Sequence, residues 1–186
     1  WSDTVGRNVP TDRGRRPVNR AATRNVGSRT AERFPSQHRT HIATSMNAGD
    51  ALVGAGVDVA AVRREVAHVE PYAVPVRVAS PLFRLLWAPG IVAVAMPWGI
   101  YVTDTVHERL RSGADPERSG SMIVHELTHL EQYARLGPLR HDTQYLGDYL
   151  RSRLRGASHW DAYRAIRLEV EAREVAARVA AGVVPR

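Results

Sequence analysis

Ser121-Met122-Ile123-Val124-His125-Glu126-Leu127-Thr128-His129-Leu130-Glu131-Gln132-Tyr133 is the stretch on which the reading of this chain turns. It holds His-Glu-x-x-His within a run of helical apolar spacing, the stripe being Ile123, Val124, Leu127, Leu130 and Ala134. Residues four apart on an α-helix are separated by about 40° around its axis, so His125 and His129 face the same way, one turn apart. Two neutral imidazoles placed like this can grip one Zn²⁺ at roughly 2.0–2.1 Å each. Glu126 falls too far round the helix to be an equivalent third ligand. It is placed instead to take a proton from water as a general base. Ser119 or Ser121 can cap the start of the helix, and Gly137-Pro138 is expected to stop it. A purely structural helix has little reason to bury His, Glu and His together, because each needs a polar partner away from water.

A catalytic zinc takes three protein ligands and keeps one position open. The downstream candidates are His141, Asp142, Asp148, His159, Asp161, Glu169 and Glu171. His141 and Asp142 follow the expected helix stop too closely to reach back with ease. A last helix is expected from about Ser158 to Ala181, with Ala162, Tyr163, Ile166, Val170 and Ala177 as its apolar stripe. Glu169 falls inside that stripe, and Ala162, Ala165 and Ala172 nearby allow close approach. Glu171 neighbours Arg164, Arg167, Glu174 and Arg178 on a solvated face. Glu169 is therefore the expected third ligand, with His159 as the alternative. The competing structural role for Glu169 is an i,i+4 pair with Arg173.

His125-Glu126-Leu-Thr-His129-Leu-Glu-Gln132, followed by Ala162-Tyr-Arg-Ala-Ile-Arg-Leu-Glu169-Val-Glu-Ala172, resembles the minimal gluzincin-type zinc metallopeptidase-like domains of bacteria. Their helix pair reads His-Glu-Leu-x-His-x-x-Gln and then Ala-Tyr…Glu-x-x-Ala, and the resemblance spans residues 91–180 or so. It implies an α+β, zincin-like core: a small, partly edge-exposed β-sheet packed on the His-Glu-x-x-His helix, and a C-terminal helix bearing a ligand. It further implies one Zn²⁺ per chain on His125, His129 and Glu169, with Glu126 as general base in the hydrolysis of a peptide or protein substrate. An oxyanion donor is also needed, and Tyr145, Tyr149, His159 and Tyr163 all qualify.

The chain's 186 residues allow one main domain plus an arm, and a hydrophobic fraction of 44% can fill a core. All 26 basic residues are Arg. Nine of them fall within residues 1–41 against Asp3, Asp12 and Glu32, so the arm carries nearly all of the net charge of +7. Residues 1–44 are expected to form a flexible, Arg-rich arm and residues 45–186 the metallopeptidase-like domain. Such an arm attracts a weakly held anionic partner, nucleic acid included, through phosphate neutralisation. It lacks the interleaved aromatics of a single-strand binder. With no Cys, a thiolate zinc site is excluded and the redox compartment is not legible. The apolar run from Leu85 to Val102 reaches membrane length, but Pro89, Gly90, Pro97 and Gly99 break it, so strands are expected and no membrane span.

Residues 45–69 read as one helical segment, with Ala51, Leu52, Val59, Val62, Val66 and Val69 at apolar positions and Gly54 and Gly56 weakening its middle. Glu65-Val-Ala-His68 and Glu126-x-x-His129 together suggest a di-iron four-helix bundle. Prolines at 71, 75, 81, 89 and 97 argue against the long helices such a bundle needs. Strands are expected over 72–80, 91–96 and 99–103, with a helical turn over 81–87 and some strands held to edges by proline. A free edge near the metal helix would have backbone groups available to an extended peptide. Asp104 is expected to cap a helix through Leu110, with a loop over 112–116. Asp142 or Thr143 is expected to begin another helix through Leu154. Three functions fit these features: a zinc peptidase, a non-catalytic zinc-stabilised adaptor, and a nucleic-acid-associated protein acting through the arm.

Overall fold

Residues 46–182 are described by the computed structural model of the chain, and the expected arm over 1–44 lies outside them. The described part opens with a two-residue strand, β1 (Met46–Asn47), and two short helices, α1 (Ala48–Gly54) and α2 (Val59–Glu65). The single helix expected over 45–69 is thus divided. Gly56 turns the chain with a φ of +70°, and Asp58 starts a new helix by accepting the Ala60 amide at 2.9 Å. A 3₁₀ turn at Pro71–Ala73 shortens the next strand to β2 (Pro75–Val78). The expected helical turn is α3 (Pro81–Arg84), capped by Ser80, and a hairpin follows from β3 (Ala93–Met96) and β4 (Gly99–Val102).

The remaining elements are helical: α4 (Asp104–Ser112), α5 (Pro116–Leu136), α6 (Pro138–Leu154), α7 (His159–Arg164) and α8 (Arg167–Ala180). The architecture is mixed α+β, with eight α-helices and an open four-stranded sheet among the described residues. Caps differ from expectation in instructive ways. Thr103, not Asp104, caps α4, and Asp115 caps α5 a turn ahead of Ser119. Pro138 does not hold the chain out of a helix after α5. Gly137 bends the chain at φ +75° and Pro138 opens α6 at once, in the first-turn position where its missing N–H costs nothing. The last helix also divides, at Ala165-Ile166. Ile166 leaves the helical region with ψ 125° and is wholly buried.

The sheet order is β1-β2-β4-β3. β2 and β4 run parallel with Val76 opposite Ile100, while β3 and β4 are antiparallel with Ala95 opposite Ile100. Pro75 therefore lies on an interior strand rather than an edge. It occupies the strand's first residue, facing Asn47, where a missing donor is tolerated. β3 ends the sheet, and its outer edge has no neighbouring strand among the described residues.

Helix α5 is the axis of the fold, packing against α1, α8, β3 and β4. Ile123, Val124 and Leu127 on α5 join Leu52, Val62, Ile100, Val102 and Val175 in one core. Burial of each such aliphatic side chain contributes about 1.5–3 kcal/mol. Gly120 lets the segment after α1 approach closely, since a Cβ there would stand 2.5 Å from Val57 Cγ2. Glu65 and His68, the second carboxylate-x-x-His, serve as ties. Glu65 pairs with Arg178 of α8 at 2.8 Å, and both the amide and Nδ1 of His68 meet the Glu131 carboxylate of α5. No helix among the described residues is long and apolar enough to cross a membrane.

Candidate metal centre

Successive turns of α5 bring His125 and His129 together, as their spacing requires, with their Nε2 atoms 3.1 Å apart. Glu169 enters from α8. Its Oε2 lies 3.3 Å from His125 Nε2 and its Oε1 3.3 Å from His129 Nε2. Among the described residues this is the group of His and acidic side chains that could hold a metal ion, with its ligand atoms all within 4.8 Å of one another. Tetrahedral coordination at roughly 2.0–2.1 Å places ligand atoms about 3.3–3.4 Å apart, and the triangle of nitrogens and oxygens is close to that size. The alternative ligand His159 is not in this group, its Nδ1 standing 2.9 Å from the Tyr149 hydroxyl. Arg173, the competing partner of Glu169, stands at 3.9 Å from Oε2.

The surroundings aim these atoms. Gln132, three residues past His129 on the same face of α5, is wholly buried. Its Nε2 donates to the Leu168 carbonyl at 2.9 Å and to Glu171 Oε2 at 3.1 Å, which leaves Oε1 to accept from His129 Nδ1 at 2.8 Å. An amide oxygen only accepts, so Nδ1 carries the proton of the neutral ring and Nε2 turns its lone pair toward His125 and Glu169. Glu169 also accepts the Tyr145 hydroxyl on Oε1 at 2.9 Å, while its Oε2 has no hydrogen-bond partner although buried. A buried carboxylate oxygen left orphaned 3.3 Å from His125 Nε2 fits a cation.

The electrostatics say the same. Burial alone would lower the pKa of His129, but the hydrogen bond and charge of Glu169 outweigh it and raise the value to about 9. Burial would raise the pKa of Glu169, yet the two histidines hold it well below the usual carboxylate range. Positive charge is therefore at home between these groups, and a metal ion arriving there displaces a proton. The first turn of α8 adds the partial positive charge of a helix N-terminus behind Glu169. Glu126 lies one residue beyond His125 and is buried. Desolvation raises its pKa against the opposing pull of His125 and His129, while the charge of Glu169 adds to the rise and the Ala95 amide of β3 offsets part of it.

These side chains open onto a cavity of about 650 Å³. One wall comes from α3, the segment after it and β3, and includes Phe83, Leu86, Trp87, Ile91 and Met96. The other comes mainly from α6 and α7, with Tyr145, Tyr149, His159 and Tyr163, so all four expected oxyanion candidates are brought to one place. His141 and Asp142 line it too. They were expected to lie in a connection past a helix stop, but α6 begins at Pro138 and carries them back beside α5, with His141 stacked on Tyr133 at 3.8 Å. Three buried polar side-chain atoms among the described residues lack a hydrogen-bond partner: Trp87 Nε1, His141 Nε2 and Glu169 Oε2. All three belong to residues of this cavity. The positioning role of Gln132 had a sequence signal, its i+3 offset from His129. The apolar wall had none beyond hydrophobicity. No family model, curated protein or solved structure matches the chain.

Proposed function

We propose that this chain is a zinc-dependent metallopeptidase of gluzincin type, with His125, His129 and Glu169 as ligands and Glu126 as general base. The observation that carries the reading is the triangle of two Nε2 atoms and the Glu169 carboxylate, with edges of 3.1–3.3 Å. Its set of two imidazoles and one carboxylate suits zinc, and leaves a fourth position toward the cavity for chemistry. Zinc, when bound, supplies Lewis acidity toward a carbonyl oxygen and toward water.

The protein's own residues do the rest. Glu126, kept dry and of raised proton affinity, takes the proton of the attacking water and returns it to the leaving amine nitrogen. Gln132 holds the His129 ring in register throughout. The outer edge of β3, whose residues Ala93 to Met96 line the cavity, offers main-chain groups to an extended substrate. Tyr145 and Tyr163 both engage the Glu169 carboxylate, and Tyr149 meets His159 Nδ1 at 2.9 Å, so the donor to a developing oxyanion is drawn from these four cavity residues.

The test is metal content and peptide-pool cleavage measured side by side. Glu126→Gln should retain one zinc per chain and lose about 10²–10⁴-fold in rate. His129→Ala and Glu169→Ala should lose the zinc itself. Undiminished cleavage by Glu126→Gln would refute the mechanism. A wild-type protein that holds zinc yet cleaves nothing would leave the zinc-stabilised adaptor.

A further inference from the structure

Arginine is the only basic residue type beside His in this chain, yet no Arg among the described residues lines the cavity. The carboxylates that do are Glu126, Glu169 and Asp142. The first two belong to the metal centre, and Asp142 does not. Its side chain is 65% exposed, and its Oδ1 accepts from the Tyr133 hydroxyl at 3.1 Å and from His141 Nδ1 at 3.0 Å. Elsewhere Glu65, Glu70, Asp104, Asp148, Asp161 and Glu171 each hold an Arg at 2.6–2.9 Å. Asp142 has no such partner among the described residues. It is a carboxylate at a cavity wall, with no Arg of the described residues set against it.

Beside it stands a column of rings. Tyr133 stacks on His141 with centroids 3.8 Å apart, and Tyr145 is stacked with the same His141 ring at 6.1 Å and 23°. Aromatic faces attract guanidinium and ammonium groups, and do so more strongly where water is displaced. The opposite wall, with Phe83, Leu86, Trp87 and Ile91, is apolar and suits a large hydrocarbon side chain. We propose that Asp142, set against the Tyr133–His141–Tyr145 column, is the specificity-determining residue of this cavity, and that the cavity takes a peptide carrying a basic side chain next to a large apolar one. The proposal rests on the reading of the cavity as a peptide site. The whole chain carries +7, which disfavours a cationic ligand in general, so any preference for one must arise locally.

The experiment compares two capped peptides, acetyl-Ala-Leu-Arg-Phe-Ala-amide and its citrulline counterpart, which has the shape of arginine without the charge. Each is titrated calorimetrically into the full chain carrying Glu126→Gln, supplied with zinc so that nothing is cleaved. The Arg peptide should bind about tenfold more tightly, the size expected of one partly exposed ion pair supported by a cation–π contact. Asp142→Asn keeps an oxygen for Tyr133 and His141 and removes only the charge, so it should bring the two peptides to equal affinity. Equal affinity in the Asp142 protein, a preference that survives Asp142→Asn, or no binding of either peptide would overturn the proposal. Tight, Asp142-dependent binding of the Arg peptide that wild type never cleaves would instead sink the peptidase reading and leave this one standing.

Discussion

Replacing Gln132 by Met isolates what a single buried amide does for the candidate metal centre. The two side chains are close in size, so packing changes should cost under about 1.5 kcal/mol and the loss is chiefly polar. His129 Nδ1–H, now bonded to Gln132 Oε1 at 2.8 Å, would be left without an acceptor in a buried site, at a cost of about 1–3 kcal/mol. Loss of the 2.9 Å bond to the Leu168 carbonyl adds about 1 kcal/mol. Glu171 loses little, because it keeps Arg135 at 2.8 Å. The sum is about 2–4 kcal/mol, to be read as a lower unfolding free energy in urea with chelator present. Because the His129 ring would no longer be held in one orientation, zinc affinity should fall about 10–100-fold in competition against a metal indicator. An unfolding free energy within about 0.5 kcal/mol of wild type, together with unchanged zinc affinity, would refute the assignment of Gln132 as the residue that orients His129.

Three further outcomes rest on side-chain packing and ion pairing away from the metal centre. Gly147→Ala, in the interior of α6 with nothing within 4 Å of the added Cβ, should raise stability by about 0.5–1 kcal/mol, and a lowered urea midpoint would contradict it. Gly120→Ala places a Cβ 2.5 Å from Val57 Cγ2 and 3.3 Å from Ala55 Cβ, so it should cost about 1–3 kcal/mol and be relieved by Val57→Ala. The Asp148 carboxyl, hydrogen-bonded to Arg167 at 2.8 and 3.1 Å, is held below its usual pKa. A depressed folded-state value gives stability that is present above about pH 4 and is lost as pH falls through that lower value. Wild type should therefore lose its advantage over Asp148→Asn on acidification below about pH 4, and a constant gap in chemical denaturation down to about pH 2 would exclude the linkage.

Helix α5 was legible because its spacing, its polar motif and its length all agree, and tertiary packing had nothing to overrule. That Glu169 joins the two histidines was legible for a narrower reason: it is an acid among apolar residues, a cost a chain does not accept without a partner. Three features were not. The divisions at Gly56 and Ile166 interrupt stripes that continue in phase on either side, so periodicity alone runs straight through them. β1 has two residues and exists only because Met46 and Asn47 pair with Val76 and Pro75. Pro138 carries opposite meanings before and inside a helix, and the choice between them is made by the φ of +75° at Gly137, which the sequence permits but does not demand. That one choice also decided whether His141 and Asp142 belonged to the site. The arm, with its nucleic-acid reading, lies outside the described residues.

The chain leaves α5 at Leu136 and returns in α8 at Arg167, and these two helices carry all three candidate ligands. Everything between them, α6 and α7, supplies one wall of the cavity and none of the metal-facing triangle. It is tied back by the Tyr145–Glu169 and Arg167–Asp148 hydrogen bonds. The group that could hold an ion and the wall that faces it are thus written in separate stretches of the polypeptide. Variation within residues 138–164 would reshape that cavity wall while the His125–His129–Glu169 triangle stays as it is, and a directed library confined to that stretch tests whether the wall sets what the cavity accepts.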